Sequence, residues 1–97
     1  MNIKLHNDKT LEVQEPTEHD QIEYLSMLDD YEKTVKEKGE LTAQKQAIVF
    51  QNKMLAKLSK QSMEEVQKMA LIDKSKAIEA IKTRFTVLGR ANQNLDF

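Results

Sequence analysis

The chain has no cysteine, no tryptophan, one proline and two glycines in 97 residues, and each shortage removes a class of chemistry. Without cysteine there is no disulfide, no thiolate nucleophile and no cysteine-ligated zinc, a composition suited to a reducing compartment. Neither Gly39 nor Gly89 sits in a glycine-rich loop able to cradle phosphate. The only histidines are His6 and His19, which leaves little from which to build a nucleophile, its base and an oxyanion site. Both arginines, Arg84 and Arg90, lie near the C-terminus, too few and too close together to line a pocket for an anionic substrate. The expectation is a protein without catalytic residues, metal or cofactor.

Long hydrophobic runs are missing as well. The stretch MNIKLHNDKT has no continuous apolar segment of the secretory type, and the longest apolar runs, IVF and MALI, fall far short of the ~20 residues that a membrane span requires. A soluble, unexported chain with no membrane partner is expected. At this length a chain forms about one small domain and buries only ~60–70% of the surface its unfolded form exposes. With three Phe and two Tyr as its only aromatics, the core must come mainly from Leu, Ile, Val, Met and Ala, so self-association is an expected source of further burial.

Charge is balanced in total and unbalanced along the chain. Residues 1–40 carry five lysines against eleven acids, a net of −6, whereas residues 41–97 carry ten Lys or Arg against five acids, a net of +5. Such polarity can hold two halves of a fold together or orient neighbouring subunits.

The N-terminal runs IKL and LEV alternate in hydrophobicity around HNDKT, which supplies turn residues; residues 1–14 therefore read as a short β-ribbon or hairpin. Pro16 then biases Glu15 towards extended backbone, and Thr17 with Asp20 forms a weakened capping box for a helix over 18–38. Ile22, Leu25, Leu28, Tyr31 and Val35 recur on one face of that helix, and Lys33, Lys36 and Lys38 precede Gly39. A second helix is predicted over 41–60, with Leu41, Ala43, Ala47, Ile48, Phe50, Met54, Leu55 and Leu58 inside one wide apolar arc.

Ser62 and Glu65 have capping-box spacing and open a third helix, 62–72, carrying Val66, Met69 and Ala70. Asp73 and Ser75 are candidate caps for a fourth, 74–88, bearing Ala77, Ile78, Ile81, Phe85 and Leu88, with Gly89 as its stop. The residues 90–97, RANQNLDF, lack amphipathic pattern and read as a flexible tail. The predicted fold is mainly α: about four helical segments in one small domain, 1–89, behind a short N-terminal β-hairpin.

The densest cluster of chemistry is LEVQEPTEHDQI, with Glu12, Glu15, Glu18, His19 and Asp20 around the proline. His19 and Glu23 share a helical face, but no second histidine follows at ligand spacing and there is no calcium-loop pattern. Acids at the positive end of a helix dipole are the simpler explanation. Lys45, Lys53, Lys57 and Lys60 lie on a helix without arginine, and residues 41–63 contain no acid. Phosphate contacts need only such lysines, so a small helical nucleic-acid-binding or regulatory protein using helix 41–60 is the alternative reading; a solvated lysine face is the simpler one.

The ribbon IKL…LEV, the EPT junction, the middle amphipathic helix and the stretch LSKQSMEEVQKM leading into AIEAIKTRFTVLG together resemble the tail assembly chaperones of long-tailed bacteriophages, in particular the small tape-measure-protein chaperones of lactococcal-type siphophages. The resemblance spans residues 1–89 and consists of lengths and apolar spacing. It implies a non-enzymatic, self-associating protein of the host cell cytoplasm, absent from the finished virion, that binds the hydrophobic tape-measure protein and keeps it soluble. The apolar arcs themselves nominate Phe50, Met54, Leu58, Val66, Met69 and Phe85 as the partner-binding or self-association residues.

Overall fold

The computed structural model describes the backbone of residues 1–95 and the side chains of residues 1–85. Among them the protein is mainly helical, with four helices behind a two-stranded antiparallel hairpin: β1 (Asn2–Lys4), β2 (Thr10–Glu12), α1 (Glu18–Lys38), α2 (Glu40–Ser59), α3 (Met63–Lys68) and α4 (Leu71–Leu95).

The hairpin pairs Ile3 with Leu11, so the inward positions of both strands meet on one face, and Val13 continues that face. Its turn is closed by hydrogen bonds from Leu5 N–H to Lys9 O and from Asp8 N–H to Leu5 O, with Asp8 in the left-handed region at φ 65°. Aspartate tolerates that conformation better than most residues. A hairpin this small is marginal alone. Here Gln14 N–H bonds to Leu58 O, and Ile3, Leu11 and Val13 pack among Met54, Leu55, Leu58, Val66, Ala77, Ile81 and Phe85.

Local chemistry explains the helix starts. Thr17 accepts from Asp20 N–H while Asp20 accepts from Thr17 N–H, and Ser62 and Glu65 exchange the same pair of bonds, so two otherwise orphaned N–H groups are satisfied at each end. Gly39 separates α1 from α2 with φ 94° and ψ 165°, a conformation that essentially only glycine adopts.

Two boundaries differ from those read in the sequence. The helix predicted over 62–72 ends at Lys68, because Met69 is extended and Ala70 O takes the N–H groups of Asp73 and Lys74 to start α4 at Leu71. Asp73 therefore lies inside the first turn, and its carboxylate, instead of capping the helix, reaches the hairpin. At the other end α4 runs through Gly89 to Leu95, so residues 90–95, read as tail, are helical; residues 96 and 97 lie outside the described residues, as does the side chain of Leu88. A glycine inside a helix costs only ~1 kcal/mol, and no proline follows it to force a stop.

The apolar face of α1 is also rotated from the predicted one. Asp20 is the helix's one buried residue, and Tyr24, Met27, Tyr31 and Val35, spaced along the same side, are half-buried, while Ile22, Leu25 and Leu28 are exposed. Lys57 Nζ donates to Asp20 Oδ1 at 2.7 Å, and this pair turns the Asp20 side of α1 towards α2. A radius of gyration of 14.5 Å, against about 13 Å for a compact chain of about 100 residues, reflects helices that reach beyond the core.

Candidate functional site

Of the six residues nominated by the apolar arcs, the structure brings most into the domain's own core. Met54, Leu58, Val66 and Phe85 are buried, Val66 completely, and all four belong to the cluster beneath the hairpin. Phe50 and Met69 are half-buried against the same cluster, and Tyr24 links Phe50 and Phe85 with ring centroids at 6.4 and 5.4 Å. The set nominated for a partner thus lies largely within the domain's own core: a thin core needs its largest side chains, and here it takes them from the three helical segments that close beneath the hairpin.

The apolar side chains that meet water are others. Ile22 and Leu25 on α1 are each 52% exposed and Leu28 42%; on α2 Leu41, Ile48 and Val49, and on α4 Leu71 and Ile72, are exposed too. Scattered apolar residues on a surface need no explanation, but an aligned series at helical spacing does.

Two open grooves take in part of this surface, Ile22 in one and Ile48 and Leu71 in the other. The larger, about 350 Å³, runs between α1 and α2 and is lined by Ile22, Met27, Tyr31, Ala43, Ala47 and Phe50, with Glu23, Ser26, Asp30 and Gln46 along its edges. It exists because Ala43 and Ala47 are small on the side of α2 that meets α1, so the flanking Met27, Tyr31 and Phe50 leave a channel between the helices. Thr34 Oγ1 donates to Gln46 Oε1 at 3.2 Å and ties the helices together at one end. The second groove, about 270 Å³, lies between α2 and α4, with Ile48, Leu55, Leu71 and Ile78 as its apolar wall and Lys74 and Glu79 beside them. Single-helix periodicity finds the apolar residues but not these hollows, which depend on how two faces meet.

The cluster around Pro16 disperses into separate structural contacts. Glu15 pairs with Arg84 at 2.9 Å, His19 with Glu23 at 2.9 Å, and Asp20 with Lys57 at 2.7 Å. Burial pushes the Asp20 carboxyl up, but the Lys57 ammonium and the N–H and hydroxyl of Thr17 outweigh it and hold the group below the usual carboxylate range. Lys57 is raised in turn, chiefly by its hydrogen bond to Asp20. Among the described residues no group of three or more His, Asp or Glu is arranged to hold a metal ion.

A second buried carboxylate, Asp73, reads in the sequence only as a helix cap. Asp73 accepts from His6 N–H at 2.9 Å and lies 2.6 Å from His6 Nδ1, across 67 residues of chain. Burial raises it and the His6 contacts lower it, the latter prevailing, with Lys76 helping. This contact locks the hairpin turn onto the first turn of α4. Nothing in the spacing of residue 6 and residue 73 announces it.

The lysine face of α2 is reduced by these contacts. Lys45, Lys53 and Lys60 are exposed, whereas Lys57 is held by Asp20, with Glu23 at 4.0 Å. A phosphate-tracking role therefore loses one of its four cations to an internal bond. Among the described residues no helix is long and apolar enough to cross a membrane. Comparison with protein-family models, with curated proteins and with solved structures finds no match to this chain.

Proposed function

We propose that the protein is a non-catalytic binding protein that covers apolar helical stripes of a client, acting as a tail assembly chaperone for the tape-measure protein of a long-tailed bacteriophage. The observation that carries this reading is the arm formed by α1 and the first half of α2. In it Leu25, Leu28, Leu41, Ile48 and Val49 stay in water on the outer sides of the two helices, and Ile22 lines the open apolar groove between them. Burying such surface on a helix-in-groove partner is favourable at about 25 cal/mol per Å² before association costs.

The client in this reading is itself largely helical and hydrophobic, and several copies of so small a subunit would be needed along it, which self-association would supply through effective concentration. The work is done in the host cell cytoplasm, and the chaperone leaves before the virion is complete. Co-expression with the tape-measure protein encoded in the same genome tests it. The client should move from the insoluble to the soluble fraction and co-purify with this chain. A client that stays equally insoluble with and without it would contradict the proposal.

A further inference from the structure

The groove between α1 and α2 has a chemical bias that selects among apolar partners. We infer that it docks an amphipathic helix whose apolar stripe is flanked by lysine or arginine; this rests on the client-binding reading and names the kind of segment the site takes. The groove lining extends along α1 from Ile22 to Tyr31, nine residue steps or about 14 Å at 1.5 Å per residue. That length matches anchors at i, i+3 or i+4, and i+7 on a docked helix.

Its apolar floor is Met27, Tyr31, Ala47 and Phe50, and its charged edge is Glu23 and Asp30. The edge belongs to a wider acidic field: between residues 18 and 32 α1 carries Glu18, Asp20, Glu23, Asp29, Asp30 and Glu32 and no lysine or arginine. Asp20 and Glu23 are partly compensated by Lys57, Glu23 also meets His19 at 2.9 Å, and Asp29 is paired with Lys33 at 3.2 Å, whose charge Asp30 feels too. Asp30 is exposed and lines the groove itself, whereas Glu18 and Glu32 are exposed on other sides of α1. The opposite edge, on α2, contributes the neutral Gln46. A helix with acidic flanks would bring like charges together as its stripe entered, a juxtaposition that costs specificity-setting free energy, whereas basic flanks would be drawn in. The α2/α4 groove, edged by Lys74 and Glu79, has no such preference.

The test uses three fluorescent synthetic helical peptides that share one leucine and alanine stripe, with flanks of lysine, glutamate or glutamine, titrated with the full chain and followed by anisotropy. The lysine-flanked peptide should bind about tenfold or more tightly than the glutamate-flanked one, with the difference shrinking as salt rises. Asp30→Lys, at an exposed position, should reduce or reverse that preference, and Ala47→Phe, which fills the channel, should abolish binding of all three. Ile48→Ser in the other groove should leave it unchanged. Equal binding of lysine- and glutamate-flanked peptides, or binding untouched by both Asp30→Lys and Ala47→Phe, would overturn the inference. So would sedimentation showing that Ala47→Phe turns an oligomer into a monomer without altering peptide binding, since the occupant would then be a second copy. If Ala47→Phe captures the tape-measure protein as well as the native chain does, the groove assignment falls while the chaperone reading stands. If the native chain keeps the peptide selectivity and captures no tape-measure protein, the groove assignment stands and the chaperone reading falls.

Discussion

The two halves of α2 live in different surroundings. From Asn52 to Leu58 the helix gives Met54, Leu55, Ala56 and Leu58 to a core closed by the hairpin, α3 and α4. From Glu40 to Gln51 only Ala43 is fully buried, and Leu41, Ile48 and Val49 face water alongside an α1 whose one buried residue is an aspartate. One amphipathic pattern thus serves two purposes. Where helices converge from several directions it builds a core, and where only two run side by side it leaves apolar surface in water.

The sharpest way to break this contrast is to shorten side chains at both ends. Leu55→Ala and Ile81→Ala, at completely buried sites, should each destabilise by about 2–5 kcal/mol, whereas Ile22→Ala and Leu25→Ala should change stability by no more than about 0.5 kcal/mol. Urea unfolding followed by circular dichroism measures both. Similar losses at the two ends would mean that the arm is core in solution.

Gly39 tests whether the arm depends on its joint. A Cβ added there meets nothing within 4 Å, so Gly39→Ala acts through backbone strain, about 1–3 kcal/mol in this region of φ and ψ. A loss confined to the arm should appear as faster amide exchange in α1 and early α2 with the core amides still protected. Smaller again is the cap of α3: Ser62→Ala removes an acceptor from Glu65 N–H and should cost about 1 kcal/mol, detectable as a lower urea midpoint. A midpoint unchanged from the native chain would mean that α3 is held by Val66 alone.

Acid provides the gentlest probe. Asp20 and Asp73 are both held below the ordinary carboxylate range in the folded state, so as pH falls through about 4, the usual aspartate value, the unfolded chain binds protons first. The stabilisation from each pair is therefore complete above that range and is lost as pH falls towards the lowered native values. Asp20→Asn and Asp73→Asn should each flatten the acid limb of a stability profile, the first by loosening α1 from α2 and the second by freeing the hairpin from α4. An acid limb as steep in both variants as in the native chain would remove these pairs from the account.

Much of this architecture was legible in the residues alone. The Thr17 and Ser62 caps, the lysines before Gly39 and the alternation of Ile3, Leu11 and Val13 are local signals whose chemistry acts within one turn or one strand pair. The tie between the hairpin and α4 and the rotation of α1 were not, because both depend on partners far along the chain, His6 for Asp73 and Lys57 for Asp20. Burial was the least legible quantity. Met54 and Ile22 look alike in a helical pattern, and only the assembled helices decide that one fills the core and the other faces water.

The claim that the arm's apolar surface exists for a partner is tested most directly on Ile22→Ser/Leu25→Ser/Leu28→Ser, by measuring unfolding midpoint and soluble recovery of co-expressed tape-measure protein on the same preparation. The expected result is a midpoint close to that of the native chain with client solubility lost. A midpoint lowered as far as that of Leu55→Ala, or a client that stays soluble, would contradict it.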